Sequence, residues 1–163
     1  MDNMNQLDKS LVEVTAFLNR EADMLDYKEY DEWLKLWSDT GLYIVPIAHG
    51  EENYKDMLNL AYDDAAMRKL RIQRLQSGHA MSAKTAKITI RTLSRIRILD
   101  ESDDIINVRC AYCLFENKSG QIRHFPANLR FKLRRDNGTL KIEEKIVELM
   151  NSDTHLATIA YLF

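Results

Sequence analysis

The sequence predicts an α+β fold in which N-terminal helices pack on one face of a strongly curved, mixed but mostly antiparallel sheet. Two observations carry that expectation. Apolar residues recur at a helical period near the N-terminus and at a period of two from ITIRTLSRIRIL onward, through IINVRCAYCLFE, HFPANLRFKLRR and LKIEEKIVELM. The connectors between the last four segments, DESDD, ENKSGQ and RDNGTL, have hairpin chemistry, and Asn137-Gly138 suits a type I′ turn. Strands this long twist, and bulges should curl them around the helices into a cone with an apolar mouth.

The first helix should begin near Asp8 or Ser10, because Ser10 and Glu13 have capping-box spacing and Leu11, Val14, Leu18, Ala22 and Leu25 form a core stripe. Asp26 and Glu29 repeat the capping signal ahead of a short helix with Tyr30, Trp33, Leu34 and Trp37 on one side, stopped at Thr40-Gly41. LYIVPI reads as a strand with Pro46 at an edge or bulge. AHGEENYKDMLNLAY reads as a long loop. Asp63 or Asp64 then caps a third helix carrying Met67, Leu70 and Leu75, and QSGHAMSAKTAK forms the loop before the sheet.

With 163 residues, 45% of them hydrophobic, and only five Gly and two Pro, the chain fits one domain over residues 1–163 whose core requires no metal or disulfide. MDNMNQLDKS lacks the marks of a signal peptide, and no window reaches the roughly 18 apolar residues of a membrane helix. A cytoplasmic protein with no membrane contact is expected. Net charge is only −2, but residues 1–65 hold 15 acidic and 5 basic side chains (net −10), and residues 66–163 hold 10 acidic and 18 basic (net +8). Such halves either neutralise each other within one chain or attract neighbouring copies head to tail.

Candidate chemistry is sparse. His49, His79, His124 and His155 are scattered without metal-ligand spacing, and GxSxG, GxGxxG and phosphate-loop patterns are absent. Cys110 and Cys113 lie three apart on an alternating segment, which points them to opposite faces as buried thiols rather than a redox or zinc pair. Acid-base work inside the cone would fall to Asp39, Tyr43 and His79. The competing reading makes Asp26, Asp31, Glu32 and Asp39 caps or solvated charges and the Tyr/Trp stripe core. Arg91, Arg95 and Arg97 are expected on one strand face, and Arg130, Lys132 and Arg134 on another. Without interleaved aromatic residues or a basic domain, these suit a protein surface and not nucleic acid.

The order of these features resembles the small (beta) subunit of the aromatic-ring-hydroxylating dioxygenases. The motif E-A-x-x-L-D-x-x-x-Y-x-x-W-L-x-L closing with Y-x-x-P is met by Glu21, Ala22, Leu25, Asp26, Tyr30, Trp33, Leu34, Leu36, Tyr43 and Pro46. A second block, Y-D-x-x-x-x-L-x-x-R-x-x-R-L, is matched by Tyr62, Asp63, Leu70, Arg71, Ile72, Arg74 and Leu75 with shifted arginine spacing, while MSAKTAKITIRTLSRIRI departs from the family pattern. The resemblance implies a cone similar to nuclear transport factor 2 and a non-catalytic, structural role beside a large subunit. That partner would carry a Rieske iron-sulfur cluster and a mononuclear iron, and the small subunits would form a trimer within a hexamer. No catalytic, cofactor-binding or metal-binding residue is assigned to this chain, which lacks the C-x-H and C-x-x-H of a Rieske site. Because the same cone hosts dehydratases, isomerases and cyclases, a stand-alone enzyme acting on a small cyclic substrate is the alternative.

Overall fold

The computed structural model describes residues 5–50, 52–77, 88–118, 120–150 and 162–163. Helix α1 (Gln6–Asp26) starts earlier than expected, because the Asn5 side chain accepts from the Asp8 N–H at 2.9 Å and takes the cap. Ser10 is instead fully buried. Its hydroxyl donates to Glu101 at 3.0 Å, and Arg135 reaches Ser10, Glu101 and Glu13, so the supposed capping box pins α1 to the far end of the sheet. The core stripe of α1 is Val14, Phe17, Leu18, Ala22 and Leu25, whereas Leu11 is 38% exposed.

After Lys28, held at φ 61, the short helix α2 (Tyr30–Leu34) buries Trp33 completely. Glu29 occupies its N-cap position without a side-chain bond, and Asp26 does not cap at all. Strand β1 (Trp37–Pro46) begins three residues before the expected Thr40-Gly41 stop. Gly41 sits inside it because nothing larger fits: a Cβ there would stand 2.7 Å from the Ile142 carbonyl oxygen and 2.9 Å from the Trp37 ring. Pro46 falls at a register shift, as expected for a bulge.

The expected loop after β1 contains a 3-10 turn, Tyr54–Asp56, and strand β2 (Asn59–Asp63). NLAYD has no strand pattern of its own, but antiparallel pairing with β1 satisfies its backbone. Helix α3 (Ala65–Gln76) is capped by Asp64, which accepts from the Met67 N–H at 2.9 Å. Its inward face is Arg68, Ile72 and half-buried Leu75, and Met67 and Leu70 are exposed. Arg68 replaces an apolar residue because its guanidinium lies 4.1 Å over the Trp37 ring and donates to the carbonyls of Gly41 and Asp63, which the bulged strands leave available.

The four long strands appear as the period of two predicts: β3 (Ile88–Ser102), β4 (Ile105–Lys118), β5 (Gln121–Asp136) and β6 (Thr139–Leu149). Asn137 and Gly138 both take positive φ, 48° and 79°, in the last hairpin. Spatial order is β2-β1-β6-β5-β4-β3, with β1 and β6 parallel and every other pair antiparallel. Bulges interrupt β3 between Ser94 and Arg97 and again near Asp100, and the β5–β6 pairing at Lys132/Leu133. They bend the sheet and reverse its inside-outside parity. Arg91 therefore faces the core while Arg95 and Arg97 face outward, which corrects the expectation that the three share one face. Arg130, Lys132 and Arg134 do share the outer face.

Trp33 meets Trp37 edge-on at 5.2 Å, and Trp37 meets Tyr43 at 6.3 Å, so the aromatic stripe is core. Trp33→Ala should lower stability by roughly 3 to 5 kcal/mol through the cavity it leaves. Gly41→Ala should cost about 1 to 3 kcal/mol by overpacking. Chemical denaturation of both variants checks this; a Gly41→Ala chain as stable as the parent would contradict the close approach.

Candidate functional site

A group of polar side chains is enclosed between α1 and the sheet. Glu21 points inward from α1 at 2% exposure and accepts from Trp33 Nε1 at 2.7 Å and from Lys145 Nζ at 2.6 Å. Lys145 is fully buried on β6, with Nζ 5.5 Å from the Phe131 ring centroid. Burial pulls its ammonium below the ordinary lysine value, and Glu21 opposes that shift. Counting by twos from Leu140 would place Lys145 outside. The extra residue Glu143 at the bulge turns it inward, in step with Val147 and Leu149.

A second, half-buried pair lies further along α1. Asp26 accepts from Thr89 Oγ1 at 3.0 Å, from the Arg91 N–H at 2.8 Å and from the Arg91 guanidinium. The same guanidinium donates to the Leu162 carbonyl. Asp26 is thus a clamp between the end of α1 and the start of β3, not the helix cap that its spacing suggested. The Asp63 carboxylate holds Arg71 in a two-pronged contact at 2.5 and 2.9 Å.

The three residues singled out for acid-base work do not form a site. Asp39 is exposed on β1, and Tyr43, 1% exposed, is enclosed in the core. The Tyr43 hydroxyl accepts from the Phe163 N–H at 3.0 Å, and burial raises its pKa far beyond the physiological range. His79 lies outside the described residues, as does His155. Tyr112 is also raised by burial. Asp31 and Glu32 begin α2 at the surface, with Glu32 paired to Lys35 at 2.5 Å.

Leu162 and Phe163 join the core cluster. Both are buried, and the Phe163 ring meets Phe125 edge-on at 5.8 Å. Among the described residues no group of three or more His, Cys, Asp or Glu side chains could hold a metal ion, and no helix is long and apolar enough to cross a membrane. Cys110 is buried and Cys113 half-buried, on opposite faces of β4; burial pushes the Cys110 thiol up to about 12.

Outside the core, Arg130, Lys132 and Arg134 face the acids of β6: Arg130 meets Glu148 at 3.1 Å, Lys132 stands opposite Glu144, and Arg134 meets Glu143 at 2.6 Å. An apolar strip, Ile88, Ile90, Phe115 and Ile122, crosses the outer face of β3, β4 and β5 near the β4–β5 turn.

Glu21→Gln removes the anion that keeps Lys145 charged, so the buried amine must release its proton. The native lysine pKa then lies further below the unfolded value of about 10.4. Between those values the unfolded chain binds more protons, so stability rises with pH, more steeply than in the parent. Lys145→Met should cost about 3 to 5 kcal/mol by leaving Glu21 without its cation. Urea unfolding from pH 6 to 10 reads both effects, and a flat profile for Glu21→Gln would refute the pairing. In native chain a disulfide reagent should label Cys113 well before Cys110, whose labelling should track unfolding, as mass spectrometry of the modified peptides would show.

Residues 20–154 match the family described as the ring hydroxylating beta subunit. The chain is 30% identical over 135 residues to the small oxygenase component of the p-cumate 2,3-dioxygenase system of Pseudomonas putida, covering 82% of this chain and 75% of that one. It is 24% identical over 157 residues to the 2-halobenzoate 1,2-dioxygenase small subunit of Burkholderia cepacia, covering 93% and 95%. The crystal structure of the beta subunit of benzoate 1,2-dioxygenase from Burkholderia mallei superposes with a TM-score of 0.78 at 19% identity, covering 99% of this chain and 100% of that one, and carries the same cone fold. Small subunits of this kind pair with a large oxygenase subunit. The match over residues 20–154 and the shared cone place this chain in the family of ring-hydroxylating dioxygenase beta subunits.

Proposed function

We propose that the chain, as one domain over residues 1–163, is the non-catalytic subunit of an aromatic-ring-hydroxylating dioxygenase and works in the cytoplasm by holding large subunits together. In this reading the small subunits form a trimer within a hexamer, and the Rieske cluster and mononuclear iron belong to the large subunit. The observation that carries it is the match of residues 20–154 to the ring hydroxylating beta subunit family, together with the pairing of the enclosed acid and base, Glu21 and Lys145, to each other. Glu21, Lys145, Tyr43 and Tyr112 are each at most 5% exposed; Glu21 and Lys145 fasten α1 to β6, and the Tyr43 hydroxyl accepts from the Phe163 N–H. The outer strip of Ile88, Ile90, Phe115 and Ile122, by contrast, has the character of a subunit contact.

The chain's own residues would then contribute to oxygenation only by setting the positions of the large subunits. Relatives are named for p-cumate and 2-halobenzoate dioxygenation, which supports an aromatic substrate for the assembled enzyme, selected in the large subunit's pocket.

Light scattering of the purified chain should show a trimer or a weakly associating species, and co-expression with its large subunit should yield a hexamer. Asp39→Asn should leave the activity of the reconstituted complex within about twofold of the parent, because this carboxylate is solvated and outside any enclosed site. Ile90→Glu should lower the fraction of assembled complex while the isolated chain stays folded. A tight dimer that turns over a ketone or enol alone, or an assembled Asp39→Asn complex without activity, would overturn the proposal.

A further inference from the structure

On the outer face of the sheet, the bulge in β3 opens a crevice of about 420 Å3 lined by Arg95, Ile96, Arg97, Arg109, Cys110 and Asn128. Its charge arrangement is unlike that of the rest of the sheet. Arg91, Arg123, Arg130, Arg134 and Arg135 each meet a carboxylate. Arg97 and Arg109 meet none among the described residues, although they stand directly opposite each other across β3 and β4. Arg109 in turn stands opposite Arg130. Like charges in directly opposed strand positions repel and cost stability. Arg95 adds a third guanidinium from the bulge itself, where its backbone takes φ 53, and its Nη2 reaches only the neutral Asn128 Oδ1 at 3.4 Å. A non-glycine residue in the left-handed region is costly and persists where the surroundings require it, commonly at binding sites. Cavity, opposed cations and strained bulge coincide at one place.

We infer that the Arg95–Arg97–Arg109 crevice is an oxyanion site that takes a carboxylate or phosphate group. Guanidinium forks from two strands converge on the space between them, and such forks bind planar or tetrahedral oxyanions through paired charge-assisted hydrogen bonds. The bound anion would neutralise the Arg97–Arg109 repulsion. It could be a free metabolite or an acidic side chain presented by a neighbouring subunit, since the recognised chemistry is the same.

Calorimetric titration of the full chain with inorganic phosphate, and separately with succinate, at low ionic strength should give one saturable event per chain. Arg97→Gln and Arg109→Gln should each weaken it at least tenfold. Without added anion, Arg97→Gln should raise the thermal midpoint, because it removes one of two opposed like charges, and phosphate should stabilise the parent but not the variant. Repeating the titration on the complex with the large subunit separates the sources. Binding that persists identifies a free anion, and binding lost on assembly identifies a neighbour's carboxylate. Failure to form that complex would bear on the assembly role alone, because the titration of the isolated chain decides the site. Absence of saturable binding, equal binding by parent and variants, or a lowered anion-free midpoint in Arg97→Gln would overturn the inference.

Discussion

The carboxylate of Glu21 is the contact through which the helices and the sheet are joined. It accepts from Trp33 of α2 and from Lys145 of β6 while standing on α1, so three separate elements meet at one buried anion. A lone carboxylate in that position would be prohibitive to desolvate, and a lone lysine likewise; each is tolerated because the other is present. The geometry this demands is narrow. The end of α1 must lie over the middle of β6, and Trp33 must turn its indole inward, which sets the Trp33–Trp37–Tyr43 edge contacts behind it. Asp26 and Arg135 repeat the device at two further points, fastening α1 to β3 and to the far end of β5.

Bulges are the second constraint. Each inserts one residue and exchanges the faces of all residues beyond it, so that β6 can present Leu140 and Ile142 to the core and then Lys145, Val147 and Leu149 as well. In β3 the same event sends Arg91 to the interior and Arg95 and Arg97 to the surface. The Arg91–Asp26 pair that holds the fold and the exterior crevice, where Arg97 and Arg109 meet no carboxylate among the described residues, are therefore two products of one local irregularity in the strand.

This division suits a subunit whose value lies in its shape. Among the described residues the interior favours cohesion: Glu21 and Lys145 are tied to each other, and the Tyr43 hydroxyl accepts from the Phe163 N–H. The outer face keeps the features that can engage something else, an apolar strip near the β4–β5 turn and a cationic crevice at the β3 bulge.

The sequence alone determined the succession of helices before sheet, the four long strands and their tight turns, the aromatic core and the family, because periodicity, turn chemistry and the residue 21–46 motif are local properties. A cap at Asp63 or Asp64, which the structure places at Asp64, and Asn137-Gly138 as a turn were legible for the same reason. Tertiary structure alone decided the roles of Ser10, Asp26, Lys145 and Arg91. The first two have capping spacing, and only the approach of β3 and β5 converts them into tethers. The last two lie beside bulges or buried partners that strict alternation does not register, and a charged side chain is placed inside only when an opposite charge from a distant segment arrives there. Strand β2 was hidden similarly, since NLAYD becomes a strand through the β1 edge it completes and not through any pattern of its own.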